Sequence, residues 1–159
     1  MRDNVQLLDN IPLDLDVDKV FERLNSPNEK KRLKYMKLRI EEKRFKEIAR
    51  KLIEIVVPIA RPKALYKVAR VTALDGETVE IDGVKFSDRL LRGILSLNKV
   101  EEVFPSVSTA GKEVVAIQVP DNDAVEQYCL NLIQRMVFAS ANDYLRAHLR
   151  EQYSLGKIK

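Results

Sequence analysis

Apolar residues recur at helical spacing toward both ends of the chain and alternate with polar residues in its middle. Val17, Val20, Phe21 and Leu24 share one face of a short helix that Asp14 or Asp16 can cap, and Asn25-Ser26-Pro27 ends it. Before it, Val5 to Leu8 fits a short edge strand and Asn10-Ile11-Pro12 a turn. From Asn28 to Ile59, Leu33, Met36, Ile40, Ile48, Leu52, Ile55 and Ile59 fall three or four residues apart or multiples of that, which predicts one long helix. Its last turns, Ile53 to Ala60, are nearly all apolar and are expected to be buried, with Pro58 and Pro62 closing it.

The pattern then changes to alternation. Ala64 to Thr72 reads as a strand, and Asp75-Gly76 is a hairpin signal. Thr78 to Ile81 pairs back, and Asp82-Gly83 turns the chain into Val84-Lys85-Phe86. Ser87 or Asp88 caps a helix to about Leu97, with Leu90, Leu91, Ile94 and Leu95 directed inward. Val100 to Ser108 forms another strand, and Gly111 opens a short helix or turn to about Gln118. Asn122 to Tyr153 predicts a helix of roughly thirty residues, ~45 Å long. This order predicts an α+β fold, a small mostly antiparallel sheet packed with long helices. It forms a single domain over residues 1–159, with a helical part to residue 62 and the sheet and long helix from residue 63.

Composition agrees with a folded domain. The chain has 159 residues, 45% of them hydrophobic, which supports a core without disulfides. The net charge of +4 permits an acidic partner without demanding nucleic acid. Neither a signal-peptide apolar region nor a run approaching the ~18 residues of a membrane span is present, so a cytoplasmic protein without membrane contact is expected. The lone cysteine, Cys129, precludes an internal disulfide and fits a reducing compartment.

The residue inventory narrows the chemistry. His148 is the only histidine and lies nineteen residues after Cys129 on the same predicted helix, so no zinc or iron centre is expected and the metal set is empty. No Walker or dinucleotide-binding glycine motif occurs. Lys30, Lys31, Arg32, Lys34, Lys37, Arg39, Lys43, Arg44 and Lys46 form a basic run opposed by Glu29, Glu41, Glu42 and Glu47. Its charges are spread around the helix, so a solvated face with Glu–Lys pairs is the simpler reading and nucleic acid is not the expected partner. At Ser108-Thr109-Ala110-Gly111, small residues at a strand end leave room for a ligand, and hydroxyls with free N–H groups suit an anion or polar edge. The same residues equally make a tight capped turn. On the last helix Ala139-Ser140-Ala141 allows close approach of another element, and Asp143 lies one turn beyond Ala139. The candidate ligand-binding set is therefore Ser108, Thr109, Gly111 and Asp143, with no catalytic residue assigned.

Several of these segments together carry a likeness. They are Arg61-Pro62-Lys63-Ala64-Leu65-Tyr66-Lys67-Val68, Val79-Glu80-Ile81-Asp82-Gly83 with Phe86-Ser87-Asp88, and Phe104 through Gly111-Lys112-Glu113. Asp123 to Tyr128, Ala141-Asn142-Asp143-Tyr144-Leu145 and Arg150-Glu151-Gln152-Tyr153 complete it. From about Ile11 to Gly156 the chain resembles the reductive-activation domain of cobalamin-dependent methionine synthase, and small stand-alone proteins of that type. The resemblance implies a domain that binds S-adenosylmethionine and presents it to a corrinoid-binding protein or to methionine synthase itself. An electron from a flavodoxin-like or ferredoxin-like donor and the methyl group together restore methylcobalamin from its oxidised form. Cobalamin would enter only through the partner, and the sulfonium methyl must sit against the cobalt.

Two features of that family differ here. Its Arg-x-x-x-Gly-Tyr ligand segment follows the long helix and is not found in this sequence, which ends at Lys159. Of the acidic positions on the long helix, Asp143 matches one, whereas Ala139 stands where another is acidic. The resemblance thus implies methyltransferase-associated activity only if the donor site is completed, by further sequence or by a partner chain. The alternative is a non-catalytic interaction or dimerisation module of the same fold, including a homo-oligomer.

Overall fold

The structure, a computed structural model, describes residues 4–155. The last residue of the likeness, Gly156, lies outside them. In chain order the elements are β1 (Gln6–Leu8), α1 (Val17–Leu24), α2 (Pro27–Tyr35), α3 (Glu42–Ile59), β2 (Lys63–Tyr66), β3 (Ala69–Asp75) and β4 (Thr78–Ile81). There follow β5 (Val84–Ser87), α4 (Arg89–Leu97), β6 (Glu102–Val103), β7 (Ser106–Thr109), α5 (Lys112–Val115) and α6 (Ala124–Gln152). The fold is α+β, as expected, with sheets ordered β1-β2-β7 and β5-β4-β3-β6.

The chain divides into two compact units. Of the described residues, one takes 4–7 and 65–107 and the other 8–64 and 108–155. The segment 65–107 is thus inserted into the second unit, which the chain leaves midway through β2 and rejoins midway through β7. The expected division at residues 62 and 63 lies close to the first crossing, but α6 belongs with the N-terminal helices rather than with the four-stranded sheet.

The inserted unit is a meander. β3 and β4 pair antiparallel through the Asp75–Gly76 turn, where Gly76 has φ +52°, and β4 pairs with β5 through Asp82-Gly83. The β3–β4 register shifts between Val71 and Ala73, and β6 closes the other edge with Ala69 opposite Val103. Asp82 fastens this corner. Its Oδ1 accepts from the Arg70 N–H at 2.9 Å and its Oδ2 from Lys67 Nζ at 3.2 Å. The two strands expected at Ala64–Thr72 and Val100–Ser108 are each interrupted. Lys67 N–H leaves the ladder to reach the Pro105 carbonyl at 3.2 Å, and Pro105 has no N–H to return. Asp88 caps α4 by accepting from the Leu91 N–H at 2.9 Å. Of the four residues expected inward on α4, only Leu95 is fully buried, while Leu90 and Ile94 are exposed.

The second unit holds the main core. α1, α3 and α6 pack together through Val20 and Leu24, Phe45, Ala49, Leu52 and Val56, and Leu132, Ile133 and Val137. Phe21 and Phe45 meet with ring centroids 6.3 Å apart. On α6, Ala141 is fully buried while Ala139 and Ser140 are half-buried. Asp16 is the cap of α1, accepting from the Lys19 N–H at 2.8 Å.

The long helix expected from Asn28 to Ile59 is two helices. α2 ends in a left-handed residue, Lys37 at φ +54°. Leu38 N–H bonds the Leu33 carbonyl at 3.0 Å and Lys37 N–H the Lys34 carbonyl at 3.2 Å, which is the Schellman arrangement. Leu38 and Ile40 still pack on the core from the connecting loop, so the apolar spacing runs on where the helix does not. The apolar end of α3 is only half covered. Val56 is buried, but Ile55 and Val57 are 51% and 42% exposed, because they lie on the far side of the helix.

Candidate functional site

The site is built on α6. Asp123 caps this helix, its Oδ1 accepting from the N–H groups of Val125 and Glu126 at 3.1 Å each. Its other oxygen receives Arg44 Nη2 at 2.6 Å, tying α6 to α3. The Glu126 backbone bond, with Arg44, holds the Asp123 carboxyl below its usual range. Gln127 donates to the Val119 carbonyl at 3.0 Å and Gln134 to the Val114 carbonyl at 2.9 Å, which fixes the loop and α5 beside the helix.

One side of α6 then faces open space. Tyr128, Asn131, Arg135 and Phe138 follow at three- and four-residue spacing and line a cleft of about 820 Å³. Ser108, Thr109 and Ala110 form another wall, Arg32 and Met36 a third, and Asp121 stands on the loop before α6. Small-molecule sites commonly run from ~300 to ~1,000 Å³, so the volume suits a ligand of nucleoside size.

Behind the cleft sits a buried carboxylate. Glu29 of α2 is only 2% exposed, although it belongs to the basic run. Arg135 holds it in a fork, Nη1 to Oε1 at 2.6 Å and Nη2 to Oε2 at 3.1 Å. Tyr128 Oη donates to Oε2, and Arg32 Nη1 approaches Oε1 at 3.5 Å. Arg135's hydrogen bonds, above all, lower the Glu29 pKa despite burial. Burial, and then Glu29, push the Tyr128 phenol up to about 12. Such charge-assisted forks fix orientation as well as adding energy.

Two of the four expected ligand residues reach this cleft. Ser108 and Thr109 line it, while Gly111 and Asp143 do not. The Gly111 N–H is not free for a ligand, since Thr109 Oγ1 accepts it at 3.0 Å. Gly111 has a packing role instead. At φ +100° it lies against the backbone of Arg61, where an added Cβ would come within 3.3 Å of Arg61 N and O. Asp143 is exposed on α6, eight residues past Arg135 and so ~12 Å farther along the axis.

The Glu29–Arg135 fork was not legible in the sequence. Ser26 and Glu29 have the spacing of a helix capping box, but Ser26 makes no side-chain cap bond and Glu29 turns to α6. Cys129 is fully buried, and burial pushes its thiol up to about 12, so it is no nucleophile at neutral pH. Among the described residues, no three of His, Cys, Asp or Glu are grouped to hold a metal ion, and no helix is long and apolar enough to cross a membrane. No protein-family model, curated protein or solved structure matches the chain.

Proposed function

We propose that the chain is a ligand-binding module of cobalamin-dependent methyl transfer that takes S-adenosylmethionine in the α6 cleft and works beside a corrinoid-binding protein. The observation that carries this reading is the position of Ser108 and Thr109. The strand end marked by these small hydroxyl residues lines the cleft, with Thr109 Oγ1 also accepting the Gly111 N–H in a tight turn. Met36, Val115 and Phe138 offer apolar contact for a flat or alkyl portion, and the Asn131 amide and Ser108 hydroxyl offer polar edges. Asp121 adds a carboxylate for a cationic centre. The role left to these side chains is binding and orientation. The corrinoid and the electron that accompanies methyl transfer would come from partners, the latter a flavodoxin- or ferredoxin-type protein. Calorimetry with S-adenosylmethionine should give saturable heat, with Ser108→Val and Asn131→Leu weakening it. A flat titration both alone and with a corrinoid protein present would remove the reading.

A second reading has its own observation. Leu90, Ile94 and Leu97 recur at four- and three-residue spacing on α4 and are all exposed, which fits an interaction or dimerisation surface. Light scattering across a concentration series tests it, and a monomer throughout that captures no corrinoid partner counts against it.

A further inference from the structure

The cleft wall carries two guanidinium groups that converge on one carboxylate. Glu29 Oε1 receives Arg135 Nη1 at 2.6 Å and stands 3.5 Å from Arg32 Nη1. Glu29 is buried behind them, its side chain 3% exposed, whereas the side chains of Arg135 and Arg32 are 38% and 56% exposed. Two cations and one anion leave one positive charge in excess, and it is presented at the open side. Tyr128 donates to the same carboxylate and adds no charge. Among the described residues no other carboxylate makes an ion pair with either arginine. Asp121 lines the same cleft from the loop before α6 without pairing to them.

The two arginines differ in what holds them. Arg135 is fixed by its fork and further anchored by Nε donating to the Asn131 carbonyl at 3.3 Å. Arg32 has only the 3.5 Å approach, which is an ion pair rather than a good hydrogen bond. Most of its donors are therefore unspent, and they lie beside a second cation whose repulsion an added anion would relieve. A planar oxyanion group matches guanidinium geometry better than a point charge does.

We propose that Arg32 and Arg135 form the anion subsite of the cleft, recognising a carboxylate or phosphate group of its ligand, and that Glu29 is the positioning residue that sets them. This rests on the cleft being a ligand site, but not on the ligand being S-adenosylmethionine. Arg32 makes the direct contact and Arg135 the fixed wall.

The test is an NMR titration of the full chain with inorganic phosphate, and separately with acetate, at constant ionic strength. The Nε–H signals of Arg32 and Arg135 should move saturably. Arg32→Gln should weaken binding about tenfold, the worth of a charge-assisted hydrogen bond. Lys31→Gln removes a neighbouring exposed charge outside the cleft and should change affinity by less than about twofold. No saturable shift, equal affinity in Arg32→Gln, or an equal loss in Lys31→Gln would overturn the subsite. S-adenosylmethionine titrated into the same samples separates the two claims. A flat response with phosphate binding intact removes the methyl-donor reading alone. Equal S-adenosylmethionine binding by wild type and Arg32→Gln retains that reading and overturns this one.

Discussion

Glu29 and Arg135, 106 positions apart in the chain, meet through two hydrogen bonds of 2.6 and 3.1 Å. The contact joins α2 to α6 at the back of the cleft. Glu29→Gln removes the only anion between two guanidinium groups and sets an amide donor against them. The expected loss is about 2–4 kcal/mol, read as a lower urea midpoint with an unchanged slope. Glu42→Gln, which breaks the exposed pair to Lys46 at 2.7 Å, should cost less than about 0.5 kcal/mol. Equal losses for the two variants would mean that burial of the fork has no energetic weight.

The same pair predicts a pH dependence. Arg135, above all, holds the Glu29 carboxyl below its ordinary value of 4.5. A depressed pKa stabilises the fold above the unfolded-state value, and that contribution is lost as pH falls through the folded-state value. The stability difference between wild type and Glu29→Gln should stay constant from about pH 7 to about pH 5, then shrink below about pH 4. Urea midpoints along an acid series measure it, and a difference unchanged to the lowest pH at which the protein folds would refute it.

Tyr128 gives the alkaline counterpart. Its phenol is pushed from 10.0 up to about 12, by burial first and Glu29 second. A raised pKa means that the stabilisation is full below 10.0 and fades as pH rises toward about 12. Tyr128→Phe should reduce the late-ionising amplitude of an absorbance titration by one phenol. A late amplitude unchanged in the variant would refute the assignment.

Two glycines should respond in opposite senses to alanine. Gly111→Ala forces a side chain into φ +100° and against the Arg61 backbone at 3.3 Å, so a loss of about 1–3 kcal/mol is expected. Gly93, inside α4 with open space around it, should gain about 0.4–1 kcal/mol as alanine. Thermal unfolding of both variants measures this.

Much of the fold was readable because local chemistry decided it. Asp16, Asp88 and Asp123 cap the helices they precede, and the Asp75-Gly76 and Asp82-Gly83 turns set the meander. The helix ends were harder. α2, α4 and α6 stop at Lys37, Lys99 and Ser154, all with positive φ, in positions that glycine usually marks. The break after Tyr35 was hidden further because Leu38 and Ile40 keep the apolar spacing from a loop. At the site, the hydroxyls of Ser108 and Thr109 were legible as small polar residues at a strand end. Glu29 was not, because a glutamate in a basic run has no local signal that its partner lies on the final helix. Asp143 follows the small residues of α6 in sequence, yet helical geometry carries it past the end of the cleft.

The insertion of 65–107 bears on how the chain folds. Its two ends are bonded together, Lys67 N–H to the Pro105 carbonyl at 3.2 Å and Ala69 paired with Val103. β3, β4 and β5 connect through short turns and can form from contacts close in sequence, and β6 returns to the edge of β3 after α4. Once formed, it replaces a long flexible tether between Ala64 and Ser108 with a clasp of fixed span. The entropy lost in bringing α6 back to α3 falls accordingly, because closure entropy follows the length of loose chain rather than the count of residues. The meander is therefore expected to hasten assembly of the helical core without contributing a side chain to it.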